Sequence, residues 1–562
     1  MTREPPCSRT GRITAAFGAA ALLHLVLIQP NHPAAMTWGA LAVFPLELPA
    51  ILLALVALPR GSRATLAVRA ALVGALTVIA ALKLADFMSF TALSRGFNPV
   101  ADAALVSAAF RLTAGSLGLL AAVAATAGLL LAIAALATAL WWATGVWARL
   151  SLPRLPALAA GAAAFAAASV ATAEIGDAMG RWRLPVEPPG AAFTARVGVE
   201  RIVMARETLA DLRAFAAAAR EDPYAEAAPL FDRLDRDLLV IFVESYGRAS
   251  LDTPLYAPRT RATLNAAERA LAEQGLAMRS GWLSAPTRGG QSWLSHATLA
   301  TGLRIDGQTR YSAVLASGRR TLYDLAARSG RHAAAVMPAI TLEWPEGIVL
   351  GFETILAADD LGYAGLPFNW VTMPDQYTLS ALDRLLRDND ADPAADRPLV
   401  AQVALVSSHA PWVPVPELVP WDEVGDGRIF DAMAQAGDPP DVVWRDRDRV
   451  RAQYGEAVDY ALRTVFDWAA RQGDAPPLLL VLGDHQAAPF VALDDRPDVP
   501  AHLIGPPDLV AAAAAWGWGE GLVPAPDGTV DGMEVMRDRL LATWSSGGPG
   551  ATRSAAVGEA AR

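Results

Sequence analysis

Two apolar runs in the second half of the chain end abruptly in residues that can bind a metal ion. The run "LLLVLGDHQ" (478–486) stops at Asp484 and His485, and "LLVIFVESYG" (238–247) stops at Glu244. A buried strand disfavours carboxylates, whereas sites of open α/β sheets form beyond the carboxyl ends of strands. Carboxylate oxygens and neutral imidazole suit Mn²⁺ or Zn²⁺. We therefore predict that these three residues bind a divalent cation, provided that their strands are parallel and adjacent.

Two further histidines accompany apolar runs. His409 follows "LVAQVALVSS" (399–408), and His502 lies within "DVPAHLIG" (498–505). Each of them alone is better explained by a capped loop or a hydrogen-bonded core histidine. Taken with the carboxylates, they predict one site at a shared edge of a sheet.

A candidate nucleophile lies in "TRGGQSWLSHATLATGL" (287–303). Gly289 and Gly290 form a flexible turn, and Ser292 then begins a predicted helix. A hydroxyl at a helix N-terminus sits at the positive end of the helix dipole. Bound to a divalent cation, it can lose its proton near neutral pH and act as a nucleophile. Without a neighbouring metal site, Ser292 would be interpreted as an ordinary helix cap.

The elements that must position these residues alternate between strands and helices. Such alternation, with continuous apolar strands, is typical of an α/β sheet covered on both faces. We predict a helical linker over 175–235, a catalytic domain over 236–544 and a disordered tail over 545–562. The predicted strands are 237–243, 333–338, 399–408, 477–484 and 501–505, and the predicted helices include 260–274, 376–388 and 446–471.

The first third of the chain is apolar enough to form a membrane domain. After a cytoplasmic tail (1–12), a transmembrane domain is predicted over 13–174, because spanning helices need roughly 17–25 apolar residues. His24 and Glu47 fall inside spans, where ionisable groups are either functional or hydrogen-bonded within the bundle. The five predicted spans are Ile13–Ile28, Trp38–Leu58, Leu66–Leu82, Ser116–Trp142 and Leu155–Ala173.

Basic residues predict the orientation of these spans. Arg3, Arg9 and Arg12 precede the first span, and Arg149 and Arg154 separate the last two. Arginines favour the cytoplasmic side. Five spans with an inner N-terminus place the domain after residue 175 outside, which for a bacterial inner membrane is the periplasm.

Charge and cysteine content exclude several functions. The net charge is −10 and the chain has no basic cluster, which argues against nucleic-acid binding. Cys7 is the only cysteine, so the chain has no internal disulfide, no cysteine-based zinc site and no cysteine nucleophile outside the N-terminal tail.

Over about 235–510, the ordered motifs resemble the alkaline phosphatase and sulfatase superfamily. The stretch from Ser292 to Gly302 is similar to the sulfatase signature C-x-P-S-R-x-x-x-x-T-G. Together with "VESYG" before it and "SSHAPW" and "GDHQ" after it, it falls in the order of that superfamily. The resemblance implies an α/β fold with a central mixed sheet. However, Ser292 replaces the signature's Cys, Leu294 its Pro and His296 its Arg, so conversion to formylglycine is not expected and sulfate-ester hydrolysis becomes the less favoured function.

The predicted membrane domain points to a branch of that superfamily. The chain looks like lipoteichoic acid synthase-like phosphoglycerol transferases and lipid A phosphoethanolamine transferases, which move a phospholipid head group through a hydroxyl nucleophile. The resemblance implies that Glu244, Ser292, Asp484 and His485 bind the metal. His409 would bind the transferred phosphate or protonate a leaving group. His502 would make an outer contact or bind a second metal ion.

The resemblance does not decide which head group is transferred. Phosphoethanolamine transferases usually carry disulfides in this domain, so its lack of cysteine favours phosphoglycerol. The phosphoglycerol enzymes have a Trp-x-Arg motif, where "EWPEG" (343–347) offers Trp344 and Glu346 as substrate-binding residues. Glu346 cannot bind a phosphate as the Arg of that motif would. Trp344 is explained by packing in the core as well as by substrate binding.

Four functions are therefore compared. The leading one is a metal-dependent transferase that moves a phosphoglycerol-type head group from a membrane phospholipid to an envelope glycan or lipid acceptor. The alternatives are a phosphoethanolamine transferase or a membrane-anchored sulfatase or phosphodiesterase. A degenerate structural or sensory protein is disfavoured, because it would have no reason to keep Glu244, Ser292, Asp484 and His485 together.

Overall fold

The structure, a computed structural model, divides the chain into two compact units, Met1–Arg213 and Ala214–Arg562. It describes residues 9–93, 96–150, 152–186, 188–388, 394 and 396–549. Arg3, Cys7 and the part of the predicted tail from 550 onward lie outside the described residues.

The first unit is helical. Among its described residues, four helices are long and apolar enough to cross a membrane, namely Thr10–Ile28, Arg63–Thr91, Leu119–Ala148 and Arg154–Ala178. They correspond to four of the five predicted spans. The α-helices that lie in this unit or cross its boundary are α1 (Arg9–Ile28), α2 (Glu47–Ala57), α3 (Arg63–Leu93), α4 (Ala103–Leu117), α5 (Leu119–Ala148), α6 (Arg154–Ala178) and α7 (Phe193–Arg220).

The predicted span over Trp38–Leu58 does not form one continuous helix. A short 3₁₀ helix, Trp38–Ala42, is followed by a break and then by α2, which has 11 residues. An 11-residue helix is about 16 Å long, whereas the hydrocarbon core is about 30 Å thick. The break contains Pro45, which lacks the N–H that would continue a helix.

The two ionisable residues of the predicted spans make hydrogen bonds inside this unit. The Glu47 carboxylate accepts the Ala195 N–H at 2.9 Å, and His24 Nε2 lies 3.4 Å from the Leu41 carbonyl oxygen. Lys83 is fully buried and donates to the Thr194 hydroxyl at 2.6 Å. These contacts agree with the structural interpretation of His24 and Glu47.

The second unit contains a nine-stranded mixed sheet. Its strands are β1 (Leu238–Val243), β2 (Ala277–Ser284), β3 (His332–Met337), β4 (Thr354–Ala357), β5 (Leu399–Leu405), β6 (Leu478–Gly483), β7 (Asp498–Gly505), β8 (Gly519–Glu520) and β9 (Val530–Gly532). Strands β4, β3, β5, β1 and β6 are adjacent in that order and parallel, whereas β7 pairs antiparallel with both β6 and β2.

The strands β1, β3, β5, β6 and β7 are buried on both faces, as predicted. Alternate residues of β1 enter two separate hydrophobic cores: Leu239 and Ile241 belong to one, and Val240 and Phe242 to the other. The α-helices of this unit are α8 (Ala249–Asp252), α9 (Ala257–Glu273), α10 (Ser292–Thr301), α11 (Gln308–Leu315), α12 (Leu322–Arg328), α13 (Pro345–Val349), α14 (Asp375–Leu382), α15 (Asp431–Ala434), α16 (Pro440–Val443), α17 (Arg447–Ala469), α18 (Pro489–Ala492), α19 (Pro507–Ala512) and α20 (Val535–Trp544).

The predicted tail starts too early, because residues 545–547 are bonded to this unit. The Ser545 hydroxyl accepts the Phe231 N–H at 2.9 Å, and the Ser546 hydroxyl donates to Asp232 at 2.6 Å. The Gly547 N–H donates to the Pro229 carbonyl at 2.9 Å.

Candidate active site

The parallel pairing of β1 with β6 brings two carboxylates together. Val243 is in register with Gly483, so the residues that follow each strand, Glu244 and Asp484, emerge side by side. With His485 they form a buried group whose potential ligand atoms all lie within 4.8 Å of one another. His485 Nε2 lies 3.3 Å from Glu244 Oε1 and 3.7 Å from Asp484 Oδ2. The structure thus brings together the three residues expected at the end of these strands.

Backbone hydrogen bonds fix the orientation of these side chains. Asp484 Oδ1 accepts the N–H groups of Ser245, at 2.8 Å, and His485, at 2.6 Å. His485 Nδ1 donates to the Gln486 carbonyl oxygen at 3.0 Å. This bond keeps a proton on Nδ1, so Nε2 is the nitrogen left to bind a cation once it gives up its own proton, which is the arrangement of a metal-binding histidine.

The cluster has the electrostatics of a cation site. Burial and the neighbouring Glu244 charge raise the pKa of Asp484 to about 7. Burial would lower the pKa of His485, but the charges of Asp484 and Glu244 outweigh it and raise the pKa to about 9. Burial would raise the pKa of Glu244, but His485 reverses this and holds the pKa below its ordinary value. A divalent cation would replace the protons that these groups otherwise retain.

Ser292 completes the cluster. Its hydroxyl donates to Glu244 Oε2 at 3.0 Å and lies 3.3 Å from His485 Nε2. Ser292 is the first residue of α10, and the turn before it has positive φ at Gly289 (69°), Gly290 (134°) and Gln291 (68°). The Gly289 N–H donates to the Gln486 carbonyl at 2.7 Å, which links this turn to the loop that carries Asp484 and His485.

His409 lies on a loop that follows β5, the other neighbour of β1. It is half-buried, and its charge is one of the influences that lower the pKa of Glu244. The preceding Ser408 hydroxyl donates to the Glu244 backbone carbonyl at 2.6 Å. His409 is therefore held at the edge of the cluster, where it can face a substrate.

His502 does not reach the cluster. It lies in the middle of β7, opposite Val481, and is fully buried. Its Nδ1 is 2.7 Å from the Ser280 hydroxyl and its Nε2 is 3.2 Å from the Tyr246 hydroxyl. Burial lowers its pKa to about 3. The prediction of an outer or second-metal contact is corrected: β7 runs antiparallel to β6, and His502 is a hydrogen-bonded core histidine.

Trp344 and Glu346 lie after β3 and outside the group of potential metal ligands. Trp344 is half-buried and packs against Phe352, with ring centroids 5.9 Å apart. Burial and the Glu346 charge raise the pKa of Tyr311 to about 12, whereas a hydrogen bond with Trp344 lowers it. Their substrate-binding role stays a prediction.

Two buried residues near the site were not predicted from the sequence. Asp375 is fully buried, and its Oδ1 accepts the N–H groups of Val406 and Ser407, which anchors the loop that carries His409. His296 is buried one helical turn after Ser292, and its Nε2 has no hydrogen-bond partner among the described residues. The four-residue spacing from Ser292 was the available signal for His296. No signal in the sequence pointed to Asp375.

Comparisons with known proteins give structural similarity only. No family model and no curated protein matches the chain. The integral membrane lipooligosaccharide phosphoethanolamine transferase A of Neisseria meningitidis is 14% identical, with 93% of this chain and 95% of that one covered and a TM-score of 0.44. The lipoteichoic acid synthase LtaP of Listeria monocytogenes is 13% identical, with coverage of 59% and 79% and a TM-score of 0.38. The phosphoglycerol transferase GacH of Streptococcus pyogenes is 14% identical, with coverage of 60% and 82% and a TM-score of 0.36.

Proposed function

We propose that this chain is a metal-dependent phosphotransferase that moves a phosphoglycerol-type head group from a membrane phospholipid, through Ser292, to an envelope glycan or lipid acceptor. One observation carries the proposal. The Ser292 hydroxyl lies within hydrogen-bonding distance of both Glu244 and His485, inside a buried cluster of potential metal ligands. A helix cap needs no such neighbours, whereas an activated nucleophile does.

The chain's own residues account for two displacements. Ser292 Oγ releases its proton to water and attacks the phosphorus, forming an Oγ–P bond while the bond to the diacylglycerol oxygen breaks. His409, held beside the cluster by Ser408, would give its proton to that leaving oxygen. An acceptor hydroxyl then attacks the same phosphorus, its proton passes to His409, and the P–Oγ bond breaks, which returns Ser292 Oγ as the oxyanion for the next cycle. Manganese or zinc held by Glu244, Asp484, His485 and Ser292 would supply charge neutralisation and a lower pKa for the serine hydroxyl.

The helical unit fits a lipid donor. A soluble enzyme would have to extract a phospholipid from the bilayer, whereas four apolar helices of membrane-spanning length keep the chain beside its donor. We place the protein in a bacterial inner membrane with its catalytic unit in the periplasm, because of the arginine distribution described above.

The head group is tested directly with labelled donors. Full-length protein is incubated with phosphatidylglycerol or phosphatidylethanolamine labelled in the head group, and the label that stays on the protein is measured. We expect label from phosphatidylglycerol, because the cysteine-free domain favours that branch. If the protein retains label only from phosphatidylethanolamine, phosphoglycerol is not the transferred head group, but the mechanism through Ser292 still stands. Rapid release of label to water without an acceptor would favour a phosphodiesterase.

A further inference from the structure

An open groove of about 510 Å³ lies at the carboxyl ends of β3 and β4. Several of its lining residues are apolar and exposed: the exposed fraction is 82% for Leu342 and 72% for Ile348, and the half-buried Trp344 also lines it. Soluble proteins rarely expose contiguous apolar surface without a partner. The volume lies within the range of small-molecule sites, about 300–1,000 Å³.

The lining of the groove is acidic. Glu343, Asp359 and Asp360 are all exposed, and no lysine or arginine lines the groove. Asp360 Oδ2 accepts the Ala357 N–H at 3.0 Å, whereas Glu343 and Asp359 keep their carboxylates exposed. Carboxylates and a tryptophan that line the same groove favour a cationic ligand over an anionic one.

A short series of contacts connects the groove to the nucleophile. Trp293, which follows Ser292, donates from its indole to Gln308 at 3.3 Å. Gln308 begins α11, and one turn later Tyr311 lies beside Trp344. The groove also shares an edge with the metal cluster, because β3 and β4 are parallel to β1.

The groove is too distant for the transferred head group. Strand β3 is two strands from β1, and β4 is three. With strands about 4.8 Å apart, the groove lies about 10–14 Å along the sheet from the cluster. A head group bonded through phosphorus to Ser292 spans only a few ångströms. The groove therefore suits a more distant part of a larger substrate, which in this reaction is the acceptor.

We propose that the groove binds an acceptor glycan that carries free amino groups. A sugar ring presents apolar C–H faces to Trp344, and its ammonium group pairs with Glu343 and Asp359. The identification of this glycan as the acceptor rests on the proposed function. The binding of an amine-bearing glycan in the groove does not depend on that function.

Binding is tested on the full-length protein with the Ser292→Ala substitution, which prevents turnover. The probes are a glucosamine hexasaccharide and its fully N-acetylated form, titrated calorimetrically in mildly acidic buffer. We expect the amine form to bind at least about tenfold more tightly, and Glu343→Gln with Asp359→Asn to remove that difference. The control pair, Asp422→Asn with Glu423→Gln, removes equal charge from exposed positions that do not line the groove and should change nothing.

Any of three results would overturn the inference. The two probes could bind equally, neither could bind, or the control pair could lose the preference for the amine form as fully as the groove pair does. Failure of the proposed function gives a different result. Protein with Ser292 intact would then retain no head-group label from any phospholipid, whatever the groove binds. If Ser292 is labelled, the Glu343 and Asp359 pair should leave labelling unchanged and raise the KM for the amine-bearing acceptor by about tenfold.

Discussion

At the scale of single residues, the chemistry depends on how charge is shared among Glu244, Asp484 and His485. The pKa of Asp484 is raised to about 7, so in the metal-free protein it holds a proton below that pH and must release it to bind a cation. The pKa of His485 is raised to about 9, so it must also deprotonate. Metal affinity should therefore rise with pH between about 6 and 9.

Removing either carboxylate should remove the metal. Glu244→Ala or Asp484→Ala deletes one ligand and one charge, and the purified variants should lose most of the metal that the wild type retains. Elemental analysis of full-length protein measures this, with the exposed Asp508→Ala as a control that keeps its metal. Full metal content in both cluster variants would refute the assignment of the ligands.

At the scale of elements, the active site depends on strand ends and one turn. Continuous apolar runs predicted β1, β3, β5, β6 and β7 to within a few residues, because these strands are buried on both faces. The strands β2, β4, β8 and β9 were missed. For β2 the reason is physical: "AMRSGWLS" mixes Arg, Ser and Gly with apolar residues and has no continuous run.

Strand direction was the part of the site that the sequence could not supply. The β1 and β6 ends were placed correctly because their polar residues follow the apolar run. His502 lies inside β7, and nothing in the residue types of this strand indicates that it runs antiparallel to β6. Asp375 was missed for a similar reason, since its role arises from a contact with a loop 31 residues later.

The turn before α10 should control the position of Ser292. Gly290 has φ of 134°, a conformation that side chains rarely adopt, although a Cβ there would meet no atom within 4 Å. Gly290→Ala should therefore shift the turn, at a cost of about 1–3 kcal/mol in backbone strain, and slow labelling of Ser292 at least about tenfold.

The matched control for this variant is Gly318→Ala. Gly318 also has positive φ, at 75°, and a Cβ there would meet no atom within 4 Å, but it lies between α11 and α12. Its substitution should cost some stability and leave the labelling rate unchanged. Labelling of the Gly290 variant at the wild-type rate in a single-turnover experiment would show that the turn does not position the nucleophile.

At the scale of the whole molecule, the number of membrane crossings decides which side the catalytic unit faces. Four long helices alone would return the chain to the side of its N-terminus. An outward catalytic unit with an inner N-terminus therefore requires the segment from Trp38 to Ala57 to cross as well, although only 11 of its residues are α-helical. The arginine distribution favours this arrangement.

Reporter fusions test the topology at two positions. A reporter active only outside the cytoplasm should be active when fused after Ser545 and inactive when inserted at Gly61, which follows α2. Activity at Gly61 would show that the Trp38–Ala57 segment does not cross. Inactivity after Ser545, with a cytoplasmic reporter active there, would place the catalytic unit inside and reject a periplasmic function.

The most direct test of the mechanism is to locate the covalent intermediate. Full-length protein is incubated with head-group-labelled phospholipid without acceptor, quenched, digested and mapped by mass spectrometry. We predict label on Ser292, its absence in Ser292→Ala protein of normal fold, and partial labelling in Ser292→Thr, whose hydroxyl keeps the same position. Label on Thr287, Ser295 or Thr298 instead, or normal turnover by Ser292→Ala, would contradict the mechanism even if the fold is right.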